Sequence, residues 1–200
     1  MMRVIVKTDP SPRQRMIESA MALVAEHGVD GTSFSQVIEH SGAPRGSIYH
    51  HFPGGKAQLM EEATRYGGDL IAAGLRAALE QEDPIAAIDS VVNFWRGVLR
   101  QTNFAVGCPV VAATVEGDRT PDARAAAAET FNRWEQLHIQ ILERAGVPTD
   151  RARSVATMLV AAVEGAVILS RAEGSGEPLE QVVDELHRLL HAALEHAESS

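Results

Sequence analysis

The sequence predicts an all-α chain in which a small N-terminal helix-turn-helix domain of three helices leads into a larger helical body. Three observations predict it. Apolar residues recur at helical spacing, as in Ile17, Ala20, Met21 and Val24 near the start and Val182, Leu186, Leu189 and Ala193 near the end. Most prolines sit where a helix can begin: Ser11-Pro12, Asp83-Pro84, Thr120-Pro121 and Glu177-Pro178. A capping side chain followed by proline at the first helical position loses no hydrogen bond, because that amide has no intrahelical partner. No segment alternates cleanly enough between apolar and polar residues to be a strand.

In chain order, helices are expected over 12–27, 34–41, 45–51, 55–81, 84–101, 109–116, 121–145, 150–173 and 178–197. Ser11 opens the first. Ser33 and Gln36 have the spacing of a capping box, which starts the second at Phe34. Gly42 stops it, since glycine can take the left-handed conformation that ends a helix. Pro44 presets the backbone for the third. No linker follows, so the helix from about 55 joins the two parts rigidly. Asp83, Cys108-Pro109 and Thr120 mark the next three starts, and the run Ala125 to Ala128 suits the interior of the seventh helix. The longest mostly apolar stretch, Val155 to Leu169, is interrupted by Thr157 and Glu164; it is shorter than a membrane span and reads as a buried helix.

Length and composition bound the function. The chain has 200 residues, 45% of them apolar, enough for one large or two small domains with a core. The N-terminal run Val4, Ile5 and Val6 is too short for a secretory segment and meets Lys7, Asp9 and two prolines. A single cysteine, Cys108, excludes an internal disulfide framework and a four-thiolate zinc site, so a reducing cytoplasmic setting is expected. A net charge of -9 argues against a nucleic-acid partner until its distribution is read. Residues 1–60 carry six Lys and Arg against five Asp and Glu, a net of +1; residues 61–200 carry twelve against twenty-two, a net of -10. Only the first part can plausibly approach DNA.

The stretch from Gly28 to Phe52 carries the function. Two short helices joined by a tight glycine turn form a helix-turn-helix, whose second helix is of a size to enter the major groove. The segment resembles the N-terminal DNA-binding domain of TetR-type transcriptional regulators, through Gly28, Thr32, Ile38, Gly42, Gly46, Tyr49, Phe52, Lys56 and Leu59. The additional glycine before Lys56, and the later Gly107-Cys108-Pro109 with Glu116, look closest to the LmrA/YxaF-like branch. Pro44 departs from the serine or threonine usual in the family and removes one hydroxyl from the start of the recognition helix.

Physically the residues suit DNA. Arg45 and Ser47 are expected on the first turn of the recognition helix, where an arginine can pair with guanine. Gly46 lets the backbone approach closely. Tyr49 and His50 offer donors, more often to phosphates than to bases. Lys56 adds its charge to a helix N-terminus, and Ser33 can reach another phosphate from its cap. Ile38, Ile48, Phe52 and Leu59 are expected to form the core that fixes the interhelical angle.

The resemblance implies two domains, 1–60 for DNA binding and 61–200 for ligand binding and dimerisation. Phe94, Trp95, Phe104, Phe131 and Trp134 cluster in sequence, and aromatic residues line apolar pockets as well as ordinary cores. His138, one turn beyond Trp134, reads either as a polar anchor for a ligand or as an ordinary core or surface histidine. Apolar surfaces of Val155, Leu159, Ala162 and Ala166, and of Leu186, Leu189, Leu190 and Ala193, would pair with a two-fold mate into a four-helix bundle. The partners implied are palindromic double-stranded operator DNA, a small lipophilic effector and a second copy of the chain, with no membrane. Repression relieved by the effector is the leading expectation; activation, or redox and electrophile sensing through Cys108 at a helix N-terminus, are the alternatives. No cofactor and no metal are expected: Asp184, His187, His191 and Glu195 share a helical face without a second supporting cluster. No Gly-x-Ser-x-Gly elbow, phosphate loop or paired metal motif supports an enzyme.

Overall fold

A computed structural model describes residues 10–81, 83–116 and 120–198, and the side chains of these up to residue 195. The run from Val4 to Asp9 lies outside the described residues. Within them the chain is helical throughout, with no strand: α1 Pro12–His27, α2 Phe34–Ser41, α3 Ser47–His51, α4 Gly55–Gln81, α5 Pro84–Gln101, α6 Pro109–Val115, α7 Pro121–Arg144, α8 Thr149–Glu173 and α9 Glu177–Glu198.

Side-chain caps open four of the described helices, α1, α2, α5 and α9. Ser11 accepts from the Gln14 amide, and Asp83 accepts from the amides of Ile85 and Ala86. Thr120 does not cap: its hydroxyl makes no cap bond and is buried without a hydrogen-bond partner among the described residues. Helix α9 starts one residue earlier than expected. Ser175 Oγ accepts from the Glu177 amide, so Glu177 is already helical.

Helices α1 to α3 form a head, and α5 to α9 a body. The head core is Met16, Ile17, Ala20, Val24, Val37, Ile48, Phe52 and Leu59, with Ile38 packed at its edge. Two arginines tie the head together. Arg13 stacks over the Phe52 ring, 5.0 Å from its centroid, and pairs with Glu62 at 2.6 Å, while Arg15 donates to the carbonyl of Ser41.

Helix α4 runs through both parts, so the boundary at residue 60 falls within one continuous helix. Its contact with the body depends on two adjacent glycines. A Cβ on Gly67 would stand 2.6 Å from Pro109 of α6, and one on Gly68 would stand 2.3 Å from Thr130 of α7. Without side chains there, α4 lies directly against both helices, and the indole of Trp134 donates to the Gly68 carbonyl at 3.0 Å. Ion pairs flank this seam: Arg65 with Glu129, and Arg133 with Asp69 at 2.8 Å. Arg96 of α5 grips both carboxylate oxygens of Glu180 on α9, at 2.7 and 2.6 Å.

Candidate nucleic-acid interface and effector sites

The turn before α3 is built from local bonds. Gly42 takes the left-handed conformation (φ 63°, ψ 19°), which ends α2 and redirects the chain. The Ser41 hydroxyl then accepts from the Ala43 amide. The recognition helix begins at Ser47 rather than at residue 45. The amide and the hydroxyl of Ser47 both donate to the Pro44 carbonyl, at 3.0 and 2.7 Å, closing Pro44 to Ser47 as a turn. Glycine at 46 has low helix propensity and a serine hydroxyl competes for backbone carbonyls, so the first turn of helix is lost to this closure.

Arg45 therefore sits in the turn ahead of the helix, not on its first turn; it and Gly46 are exposed, with no ion pair made by Arg45 among the described residues. Ser47, half-buried, has its proton committed to Pro44, so toward a phosphate it must first give up that bond. Tyr49 is 69% exposed although its ring meets Phe34 edge-on, with centroids 5.7 Å apart. This contact sets the start of α2, and with it Ser33, beside the outer face of α3. His50 is exposed and meets the ring of His51. Ser33 makes the expected capping box: its hydroxyl accepts from the Gln36 amide at 3.3 Å and its backbone amide donates to Gln36 Oε1 at 2.8 Å. Lys56 lies on the first turn of α4, half-buried. Ile48 and Phe52, the two fully buried side chains of this segment, hold its other face in the head core.

The six residues expected to line an effector pocket do not converge. Trp134 and His138 share a central cavity of about 20 Å³ with Ile71, Leu75, Val91, Leu159, Val160 and Glu164. Phe131 packs edge-on against Trp134, and Phe94 against Trp95. Trp95 is core, with its indole N–H unpartnered among the described residues, whereas Phe94 faces solvent. Phe104, held at a left-handed φ of 63° by its amide bond to Leu99, lines a separate cavity of about 250 Å³ near Arg96 and Glu180. Burial pushes His138 down to about 4, so its imidazole is neutral at physiological pH.

Burial also redistributes the expected dimer residues. Val155, Leu159, Ala166, Leu186, Leu190 and Ala193 are all buried within the subunit, leaving Ala162 and Leu189 at the surface edge. Helical spacing could not choose between the two apolar faces of α8. The face turned outward on α8 carries Met158, Ala161, Ala162, Gly165, Ile168 and Leu169. Cys108 does not have the activated thiol that its helix N-terminus suggests: burial, then the neighbouring Glu164, push it well above the usual thiol range. His187 is turned to Asp89 at 2.8 Å.

Sequence reasoning missed the bonds between head and body. The Glu116 carboxylate accepts from the Asp30 amide at 2.8 Å, and the Gly107 amide donates to the Ala25 carbonyl at 2.8 Å. The only advance signal was the spacing of Gly107, Cys108, Pro109 and Glu116.

Comparison with known proteins agrees with this geometry. Residues 16–63 match the family described as bacterial regulatory proteins, tetR family, and residues 84–185 match the C-terminal domain of LmrA/YxaF-like transcriptional regulators. An uncharacterised HTH-type transcriptional regulator of Mycobacterium tuberculosis is 41% identical over 189 residues, covering 92% of this chain and 96% of the relative. The HTH-type transcriptional regulator LmrA of Bacillus subtilis is 30% identical over 169 residues, covering 84% and 90%. Among solved structures, a TetR regulatory protein from Rhodobacter sphaeroides superposes with a TM-score of 0.80 at 21% identity, over 90% of this chain and 98% of that one, which supports the fold. The family and these relatives are transcriptional regulators, not enzymes. The chain belongs to the TetR family of DNA-binding transcriptional regulators, in the branch with an LmrA/YxaF-like C-terminal domain.

Proposed function

We propose that the protein is a homodimeric repressor that binds a palindromic operator in the cytoplasm and is released from it by a small lipophilic molecule. The observation that carries this reading is the exposure of Arg45, Gly46, Tyr49 and His50, presented after the Gly42 turn on a head of net charge +1 ahead of a body of net charge -10. A duplex meets the head's few cations, and the acidic body faces away from the phosphates. Ser33, Arg45, Gly46, Ser47, Tyr49, His50 and Lys56 form the contact surface. Arg45, reaching from a turn rather than a helix, reads a base edge; Lys56 and Ser33 hold phosphates.

A two-fold mate supplies the second recognition helix about one DNA turn away. The outward face of α8 fits that role. Met158, Ile168 and Leu169 are each at least half exposed, and an open groove of about 620 Å³ between α8 and α9 is lined by Met158, Ala162, Val182, Leu186 and Leu189. An apolar surface of this kind on a soluble chain marks an interface. Release follows if the effector favours the conformation that does not bind DNA. The central cavity at Trp134 and His138 has room for about one water, so an effector enters there only by parting α4, α5, α7 and α8.

Fluorescence anisotropy with DNA from upstream of the chain's own gene tests the reading. Arg45→Ala is expected to lose about tenfold to a hundredfold in affinity and to relax base preference, as for a lost bidentate base contact. Lys56→Ala should weaken all sequences alike and flatten the salt dependence. Unchanged affinity in both variants would contradict the assignment.

A further inference from the structure

A cavity of about 310 Å³ lies where the head meets the body. It is walled by the end of α1 from Val24 to Gly28, by α6 and by α8. It is far larger than the central cavity and falls at the lower end of the range for small-molecule sites. Glu164, only 8% exposed, lies between the two and lines both. Its Oε2 is buried with no hydrogen-bond partner among the described residues, a costly arrangement that a donor from a ligand would relieve.

The other charged groups on the walls are Glu26, His27, Glu116 and Arg171. All four have a local partner: Glu116 accepts from the Asp30 amide, Arg171 donates to the Ala105 carbonyl at 2.8 Å, and Glu26 lies 3.8 Å from His27. Three carboxylates against one guanidinium favour a cation, and Glu164 is the deep one, its carboxyl met by the Cys108 thiol but its Oε2 left without a partner. Beside it stand Val24, Cys108, Val111, Ala112 and Val167, which suit an apolar body. We propose that this junction cavity is an effector site for a small molecule carrying a protonated amine on a compact apolar frame, with Glu164 as its anchor.

The site also has a route to the DNA-binding head. The Gly107 to Ala25 and Asp30 to Glu116 bonds close the junction around the cavity. The approach is tight: a Cβ on Gly28 would stand 2.1 Å from Glu116, and one on Gly107 would stand 2.5 Å from Arg171. A ligand wedged between α1 and α8 strains these contacts and turns the head on the body. This effector role rests on the repressor reading above; binding in the cavity does not.

Calorimetry on the full chain at neutral pH, with 2-phenylethylamine as probe and 2-phenylethanol as its uncharged isostere, tests the site. The amine is expected to bind at least tenfold more tightly than the alcohol, to lose at least tenfold on Glu164→Gln, and to lose binding on Ala112→Phe, which fills the junction but not the central cavity. Equal binding of amine and alcohol, or amine binding unchanged in Glu164→Gln, overturns the site. The alcohol comparison needs no variant, so a misfolded Ala112→Phe leaves the test intact. Anisotropy with upstream DNA separates the two readings. Release by the amine supports the effector role, and amine binding that leaves DNA affinity unchanged overturns it. Failure to bind DNA at all counts against the repressor while the calorimetry still decides the cavity.

Discussion

Glu164 and His138 are buried ionisable groups that pull stability in opposite directions with pH. Burial pushes Glu164 up from 4.5 to about 7 and His138 down from 6.5 to about 4. Between about pH 4.5 and 7 the folded Glu164 keeps a proton that the unfolded chain has released, so its contribution is full below 4.5 and is lost as pH rises through 7. His138 acts the other way: the unfolded chain takes up a proton between about 6.5 and 4 that the folded one refuses, so stability falls on acidification through that window. Thermal melts should therefore show Glu164→Gln gaining on the parent from pH 5 to pH 8, by a difference on the order of 3 kcal/mol. An offset that does not change with pH would contradict this. Glu164 was not legible in the sequence as a buried group. Glu164 read only as an interruption of an apolar run, because helical spacing shows that a residue shares a stripe and not how deep the stripe lies.

At the scale of elements, the start of α3 is the instructive case. The sequence showed a helix following Gly42 and Pro44, but not that Pro44 to Ser47 would close as a turn, because that depends on which carbonyl the Ser47 hydroxyl reaches. The glycine ahead of this turn and the one within it make separate predictions. Gly42 has a positive φ and nothing within 4 Å of a Cβ, so Gly42→Ala costs backbone strain alone, about 1 to 2 kcal/mol in denaturant melts. Gly46 has a right-handed φ of -74° and the same open surroundings, so the fold does not require glycine there. Gly46→Ala should stay within about 1 kcal/mol of the parent in stability. If the backbone at Gly46 lies against DNA, the same variant loses operator affinity; unchanged affinity would remove Gly46 from the interface. Other boundaries were readable because proline, glycine and short polar caps act locally. The α4 seam was not, since Gly67 and Gly68 reveal their role only once Pro109 and Thr130 lie across them.

For the whole molecule, the split of charge was legible from counting, and it changes the meaning of the total of -9. One head is only weakly basic, so the proposed operator binding relies on two heads acting together. Of the eight side chains named in the sequence for a dimer surface on α8 and α9, six serve the subunit's own core. Substituting Met158, 54% exposed on the outward face of α8, with glutamate is expected to shift the chain toward monomer in sedimentation velocity while leaving its helical content unchanged. A dimer that survives Met158→Glu and Leu169→Glu together would place the interface elsewhere. The account as a whole is tested most directly by footprinting the purified chain on DNA upstream of its own gene. It predicts protection of a two-fold symmetric segment with half-sites about one turn, roughly 10 base pairs, apart, lost in Arg45→Ala. Protection without symmetry, or none at any site, would contradict it.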